Sequence, residues 1–241
     1  MTLAATEPIA GDYQYRALHR GHPVQRAWHA AKLELIGRVA PPPVGGLVLD
    51  AGCGSGVIAN YLASLGATVV GIDLNREAVD FARRTFSRNT LEFVHGSIFE
   101  YQRDGFEMIY LLECLEHFPR GEVYRLLRHL RKMTGAGGRM LATTPNYRSA
   151  WPLIEAILDL FELTPRLRAS QHLSPMTPAR LRLQLDTAGW RVLEMGSFNG
   201  IAPFLAPLSR SLTSWFRERE LRRRTRLHRN LLYALCEAVP E

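Results

Sequence analysis

Cysteine is scarce in this chain. Its three copies, at 53, 114 and 236, form neither a C-x-x-C pair nor an even framework, which argues against a disulfide scaffold and for a reducing compartment. No apolar run approaches the length of a membrane span. The first eleven residues carry neither a basic region nor an apolar core, so no signal peptide and a cytoplasmic location are expected. Internal repeats and low-complexity tracts are also missing. Acidic charge is thin toward the end: residues 198–241 hold eight arginines against four glutamates, so more than half of the net +7 sits there. Such an excess suits an anionic surface, lipid or nucleic acid, or else a solvated arginine-rich helix. What is present is 46% apolar residues with ordinary charge over 241 positions, enough for one globular α/β domain with an appended lid.

The stretch Leu47-Val48-Leu49-Asp50-Ala51-Gly52-Cys53-Gly54-Ser55-Gly56 organises the rest. Three apolar residues running into an acid and then alternate glycines predict a buried strand, a tight turn and a helix opening at Val57. Glycines at 52, 54 and 56 tolerate positive φ and remove β-carbons that would hold a ligand off the backbone. The N–H groups at the helix start favour a carboxylate. The spacing G-x-G-x-G differs from the dinucleotide fingerprint, which ranks a nicotinamide dehydrogenase last, and Asp50 would repel a pyrophosphate while welcoming an ammonium group.

These residues resemble motif I of the class I S-adenosylmethionine methyltransferases. The resemblance continues through Gly71-Ile72-Asp73-Leu74-Asn75, Phe106-Glu107-Met108-Ile109-Tyr110 and Gly137-Gly138-Arg139-Met140-Leu141, covering roughly residues 44–197. It implies an α/β fold: a doubly wound, mostly parallel seven-stranded sheet of Rossmann-like type, with helical insertions over the cleft. S-adenosylmethionine is then the cofactor and S-adenosylhomocysteine the product. Asp50 suits the ammonium, and the backbone of Gly52, Cys53, Gly54 and Gly56 suits the methionine portion. Asp73, some 20 residues beyond the turn, suits the ribose hydroxyls, or else merely caps the helix that follows. Leu74, Ser97 and Ile98 suit the adenine, with Ser97 standing where the family usually has an acid. The backbone at Leu112 and Glu113 accepts from the ammonium side.

In chain order, residues 13–22 read as a loop, and a helix over 23–39 takes Pro23 in its first turn. Residues 1–43 form an N-terminal cap to a cofactor-binding domain over 44–241. Tyr13, Tyr15, Arg16, His22, Arg26 and His29 are candidates for contacts above the site, while Trp28 packs on the sheet edge. Strands are expected over 68–73, 91–95, 106–112, 139–143 and 190–197. The last candidate, 231–236, reads equally as strand or helix. Two insertions follow, over 144–176 and 199–229. In the first, Glu155, Asp159 and Glu162 share one face of an otherwise apolar helix, which fits a lid, a membrane-docking element or packing on the N-terminal helix. In the second, seven arginines over 217–229 follow apolar residues, a composition that suits peripheral contact with an anionic membrane.

Methyl transfer to a hydroxyl requires alignment and removal of a proton. His117, after the fourth strand, and His172 are the candidate catalytic bases. Glu113, Glu116 and His117 fall at i, i+3 and i+4, so on one helical face they could hold a divalent metal such as magnesium. A similar E-x-x-E-H run occurs in ubiquinone-pathway O-methyltransferases and in small-RNA 3′-end methyltransferases, where the resemblance implies a metal that orients acceptor hydroxyls. Metal-free relatives carry it too. The leading expectation is a methyltransferase acting on a small, apolar or lipid-like molecule, with oxygen favoured. The alternatives are an RNA methyltransferase, disfavoured because no aromatics interleave with the arginines, and a non-catalytic cofactor-binding partner protein.

Overall fold

The computed structural model describes residues 10–160, 167, 171–223 and 225–239. Seven strands form a single sheet: β1 Leu47–Ala51, β2 Thr68–Asp73, β3 Leu91–His95, β4 Phe106–Leu112, β5 Thr134–Pro145, β6 Trp190–Phe198 and β7 Leu231–Ala238. Their order is β3-β2-β1-β4-β5-β7-β6. The first five pair in parallel, and β7 runs antiparallel to both β5 and β6. The helices are α1 Tyr13–His19, α2 Pro23–Val39, α3 Val57–Ser64, α4 Arg76–Thr85, α5 Arg120–Met133, α6 Trp151–Leu160, α7 Pro178–Thr187 and α8 Arg210–Arg222. The expected doubly wound, mostly parallel architecture is the one the chain adopts.

The period of two along each strand explains why these strands are apolar throughout. In β4, Met108 and Tyr110 join the core that contains Leu35, Ile36 and Leu62 from α2 and α3, while Ile109 and Leu111 join the core built on Leu126, Leu127 and Leu185 from α5 and α7. A sheet covered on both faces has no polar side. Where a large residue brings a polar tip inside, the tip is bonded: Tyr110 OH donates to Ala40 O at 2.8 Å and Trp190 Nε1 to Leu127 O at 2.9 Å. Strand order reverses between β1 and β4, so the crevice for a ligand opens at their carboxyl ends.

β7 resolves the strand-or-helix ambiguity over 231–236. It pairs along its length with β5 on one side and β6 on the other, and only a strand satisfies both rows of backbone groups. Elsewhere the structure corrects the reading. Residues 13–19 form α1 rather than a loop, because Tyr15 packs its ring on Phe81 and Phe86 at 5.3 and 6.1 Å and Ala17 is buried. β5 begins at Thr134, five residues early; a register break opposite Phe106 and Met108, with Gly137 at φ 71°, absorbs the glycine-rich turn. Glu162 lies outside the described residues. The second insertion is tied to α2: Arg217 Nη1 meets Glu34 Oε1 at 2.5 Å, and Arg38 makes a two-pronged pair with Glu218. Among the described residues no helix is long and apolar enough to cross a membrane.

Candidate active site

The turn after β1 is shaped by backbone sterics. Gly52, Gly54 and Gly56 have φ of 78°, 49° and 78°, all in the left-handed region that excludes most side chains. Their lack of a β-carbon serves different ends. A Cβ on Gly52 would lie 2.9 Å from Cys114 Sγ, and one on Gly56 would lie 2.6 Å from Phe93, so these two glycines permit packing. A Cβ on Gly54 would lie 2.6 Å from the Gln14 carboxamide, and Gly52 also borders the cavity beside Asp50. Helix α1 lies over the loop, with Tyr15 N donating to Ser55 Oγ at 3.0 Å.

Asp73 closes the loop from below. Its Oδ2 accepts from Gly54 N at 2.7 Å and its Oδ1 from Asn75 N at 2.8 Å. It is not the cap of α4, because Asn75 fills that place by accepting from Ala78 N at 3.3 Å. Asp50 is 2% exposed, and its Oδ2 has no hydrogen-bond partner. Burial first, and the charge of Asp73 second, push its carboxyl up to about 7. A cavity beside it is lined by Gln14, His29, Lys32, Gly52, Cys53 and Leu112. Gln14 Oε1 is likewise buried without a partner, as is Glu113 Oε1. Unpaired buried acceptors are costly, and an ammonium group is the donor that would satisfy them. Burial drives the Cys53 thiol up and the His29 imidazole down, so both stay neutral.

Lys32 went unnoticed in the sequence. It is 5% exposed within a stripe of buried α2 residues, and its Nζ meets Glu113 Oε2 at 2.9 Å. A lysine on the inward face of a helix was the available signal. Of the other N-terminal candidates, Arg16 pairs with Asp12 at 3.0 Å and His22 accepts from Val24 N at the start of α2, so both secure helix ends. Tyr13 sets its ring edge against His29 at 6.3 Å. Trp28, expected to pack on the sheet edge, meets Trp151 with ring centroids 5.5 Å apart and the planes tilted by 39°. Leu74 is 57% exposed and Ile98 is buried. Ser97 Oγ accepts locally from Phe99 N at 3.3 Å.

Beyond β4 the helical reading of Glu113, Glu116 and His117 fails. Glu113 has φ 51°, and its N donates to Thr143 O at 3.0 Å and to Thr143 Oγ1 at 3.1 Å, which turns the chain before the short 3-10 segment Leu115–His117. Glu113 Oε2 pairs with Lys32 instead, and the third member of the cluster is His172. One ligand-capable atom from each of Glu116, His117 and His172 lies within 4.8 Å of the others. Glu116 is 1% exposed and accepts from Thr144 Oγ1 at 3.0 Å; burial pushes its carboxyl up to about 7. His117 Nδ1 is 3.0 Å from Gln171 O, and a carbonyl only accepts, so the proton sits on Nδ1 and Nε2 keeps its lone pair. Burial lowers its basicity. His172 Nδ1 lies 2.6 Å from Glu155 Oε1, which also accepts from Tyr147 OH at 2.7 Å. Glu155 is 1% exposed, so this position of α6 faces inward.

A crevice at the β1/β4 reversal and a glycine turn flanked by two acids, one with a buried oxygen that lacks a partner, are the arrangement of a class I S-adenosylmethionine-dependent methyltransferase. The sequence profile described as "Methyltransferase domain" matches residues 21–195, and the chain belongs to that family. The ubiquinone biosynthesis O-methyltransferase of Aeromonas salmonicida is 27% identical over 220 residues, covering 86% of each chain. Its counterpart from Aliivibrio fischeri (strain MJ11) is 28% identical over 181 residues, 72% of this chain and 73% of that one. Among solved structures, a SAM-dependent methyltransferase from Archaeoglobus fulgidus superposes with a TM-score of 0.65 at 18% identity, covering 93% of this chain and 98% of that one. Magnesium protoporphyrin IX methyltransferase from Synechocystis, with S-adenosylhomocysteine bound, superposes with 0.64 at 18% identity, covering 94% and 93%.

Proposed function

We propose that this methyltransferase transfers its methyl group to a hydroxyl oxygen on a small, apolar or lipid-like acceptor. The observation that carries the reading is the enclosed group of Glu116, His117 and His172, two imidazoles fixed through Nδ1 beside a buried carboxylate. A hydroxyl must shed a proton as its oxygen attacks, and a neutral imidazole with a free Nε2 accepts it. The curated relatives named for O-methylation in ubiquinone biosynthesis support both oxygen and a lipid-like acceptor.

S-adenosylmethionine, when bound, supplies the electrophilic methyl group. Around it, Asp50 and the Gln14 amide oxygen would receive the ammonium, the Gly52–Gly54 backbone would lie along the amino-acid portion, and Asp73 would hold the ribose. Leu74, Ser97 and Ile98 would border the adenine. Helices α1 and α2, which contribute Gln14, His29 and Lys32 beside the glycine turn, would limit water around the amino-acid portion.

A second reading is favoured by the mutual approach of the three ligand atoms. Glu116, His117 and His172 would hold a divalent ion, which orients an acceptor oxygen and lowers the pKa of its hydroxyl. The deciding experiment follows labelled methyl from cofactor into an extract fractionated into lipid, small molecules and RNA, before and after exhaustive EDTA treatment. Label in the lipid or small-molecule fraction supports the proposal. Activity that survives EDTA supports the imidazole base, and activity restored only by added divalent ion supports the metal.

A further inference from the structure

A second cavity, of about 520 Å³, lies outside the cofactor cleft between α6, the 3-10 turn Ala202–Leu205 and α8. Its floor is apolar, formed by Ile154, Ile201, Phe204 and Phe216, and its rim carries Arg219, Arg223, Arg226 and Arg229. Ile201 and Phe204 remain 53% and 40% exposed. Glu220 is the only acid in the lining, and its carboxylate is consumed as a cap, accepting from Gly200, Ile201 and Ala202 N–H groups at 2.9 to 3.1 Å. Among the described residues no carboxylate pairs with Arg219, Arg223 or Arg226. Arg229 is structural: it is buried, and Nη1 donates to Ser197 O and Arg223 O, which fixes the loop that presents its neighbours.

We propose that this cavity binds the phosphate head of an anionic amphiphile, with the start of its apolar tail on Ile201 and Phe204. The guanidinium groups of Arg219, Arg223 and Arg226 around one opening match a phosphate group, whose non-bridging oxygens accept several N–H bonds, better than a carboxylate does. Ile154 and Ile201 beside Phe204 and Phe216 make a mixed apolar floor that a flexible hydrocarbon tail can cover, and Arg219 already covers a face of the adjacent Trp215 at 4.7 Å, which leaves that ring less open to a stacked base. The cavity adjoins the acceptor cluster through a run of rings. Phe204 meets Trp28 at 6.4 Å, Trp28 meets Trp151 at 5.5 Å, and Trp151 meets His172 at 6.1 Å. Binding there is independent of the methyl-transfer reading.

The test titrates the full chain with monomeric dodecyl phosphate by calorimetry, with dodecyl maltoside and inorganic phosphate as controls. Sedimentation with phosphatidylglycerol or phosphatidylcholine vesicles runs in parallel. Saturable 1:1 binding of dodecyl phosphate is expected, weakened about tenfold or more in the Arg223→Ala/Arg226→Ala double variant, as loss of two charge-assisted contacts implies. Both side chains are on the surface, and their backbone bonds survive the change; Phe204→Ala tests the floor separately and should also weaken binding. Retention on phosphatidylglycerol vesicles, competed by dodecyl phosphate, identifies a bilayer as the source, whereas binding without retention identifies a free amphiphile. The proposal is overturned by no saturable binding of dodecyl phosphate, by inorganic phosphate binding as tightly as dodecyl phosphate, or by affinity undiminished in the double variant. Displacement of the probe by an oligonucleotide would overturn it in favour of nucleic acid.

Discussion

Glu155 receives the Nδ1 side of His172 at 2.6 Å, and Tyr147 donates to the same carboxylate oxygen. The carboxylate thereby fixes the His172 tautomer and leaves Nε2 free to take a proton or a metal. Glu155→Gln can present an amide N–H instead and reverse the tautomer. The expected result is a fall in kcat of roughly 10–100-fold, the scale for partners that orient a functional histidine. Calorimetric affinity for S-adenosylhomocysteine should not change. Loss of cofactor binding together with activity would place Glu155 in the fold alone.

Asp50 sets a pH dependence on cofactor binding. Its carboxyl is pushed up to about 7 in the cofactor-free chain, by burial and then by Asp73. An ammonium group requires the ionised form, so affinity for S-adenosylhomocysteine should weaken as pH falls below about 7, approaching tenfold per unit. Asp50→Asn should flatten that profile and reduce affinity at pH 8.

The same raised pKa has the opposite effect on the cofactor-free fold. Folded Asp50 retains a proton that the unfolded chain releases, so its favourable contribution is present below the ordinary carboxylate pKa and is lost as pH rises through about 7. Asp50→Asn removes the charge and should raise Tm at pH 8, by ~2–4 °C for each kcal/mol gained. At pH 4 the variant and the parent should melt together. A variant less stable at pH 8 would mean that Asp50 is ionised and compensated in the cofactor-free protein.

Lys32 and Glu113 form a pair that should be costly to break from one side. Lys32 is almost fully buried, and its Nζ meets Glu113 Oε2 at 2.9 Å. Lys32→Met leaves a carboxylate enclosed without its cation, a loss of about 3–5 kcal/mol by analogy with other buried pairs. Lys32→Met with Glu113→Gln should recover part of that loss, read as a positive coupling in chemical denaturation. Additive losses would show that the two charges are solvated independently.

The parts legible in the sequence are those that a local pattern encodes. β1, its glycine turn and the start of α3 follow from three apolar residues, an acid and glycines that positive φ demands, and Asp73 follows from the end of the next apolar run. Strands buried on both faces announce themselves as unbroken apolar segments. What escaped depends on distance along the chain. Lys32 meets a residue 81 positions away and His172 meets one 17 away, so periodicity on either element could not pair them. The i, i+3, i+4 argument failed at Glu113 because Thr143 takes its N–H and ends the strand with a left-handed turn. The spacing of Glu155 and Asp159 placed both on one helical face, and tertiary packing decided that Glu155 on that face turns inward.

The central claim is that Glu116, His117 and His172 receive an acceptor hydroxyl beside the cofactor cleft. Its most direct test is transfer of a labelled methyl from S-adenosylmethionine into a lipid extract, with products resolved by mass spectrometry, for the parent chain and for His117→Ala/His172→Ala. The account predicts O-methylated lipid-like product from the parent and a loss of about 10²-fold or more in the double variant, with S-adenosylhomocysteine affinity retained. Label appearing on nitrogen or in RNA, or full O-methylation by the double variant, would contradict it.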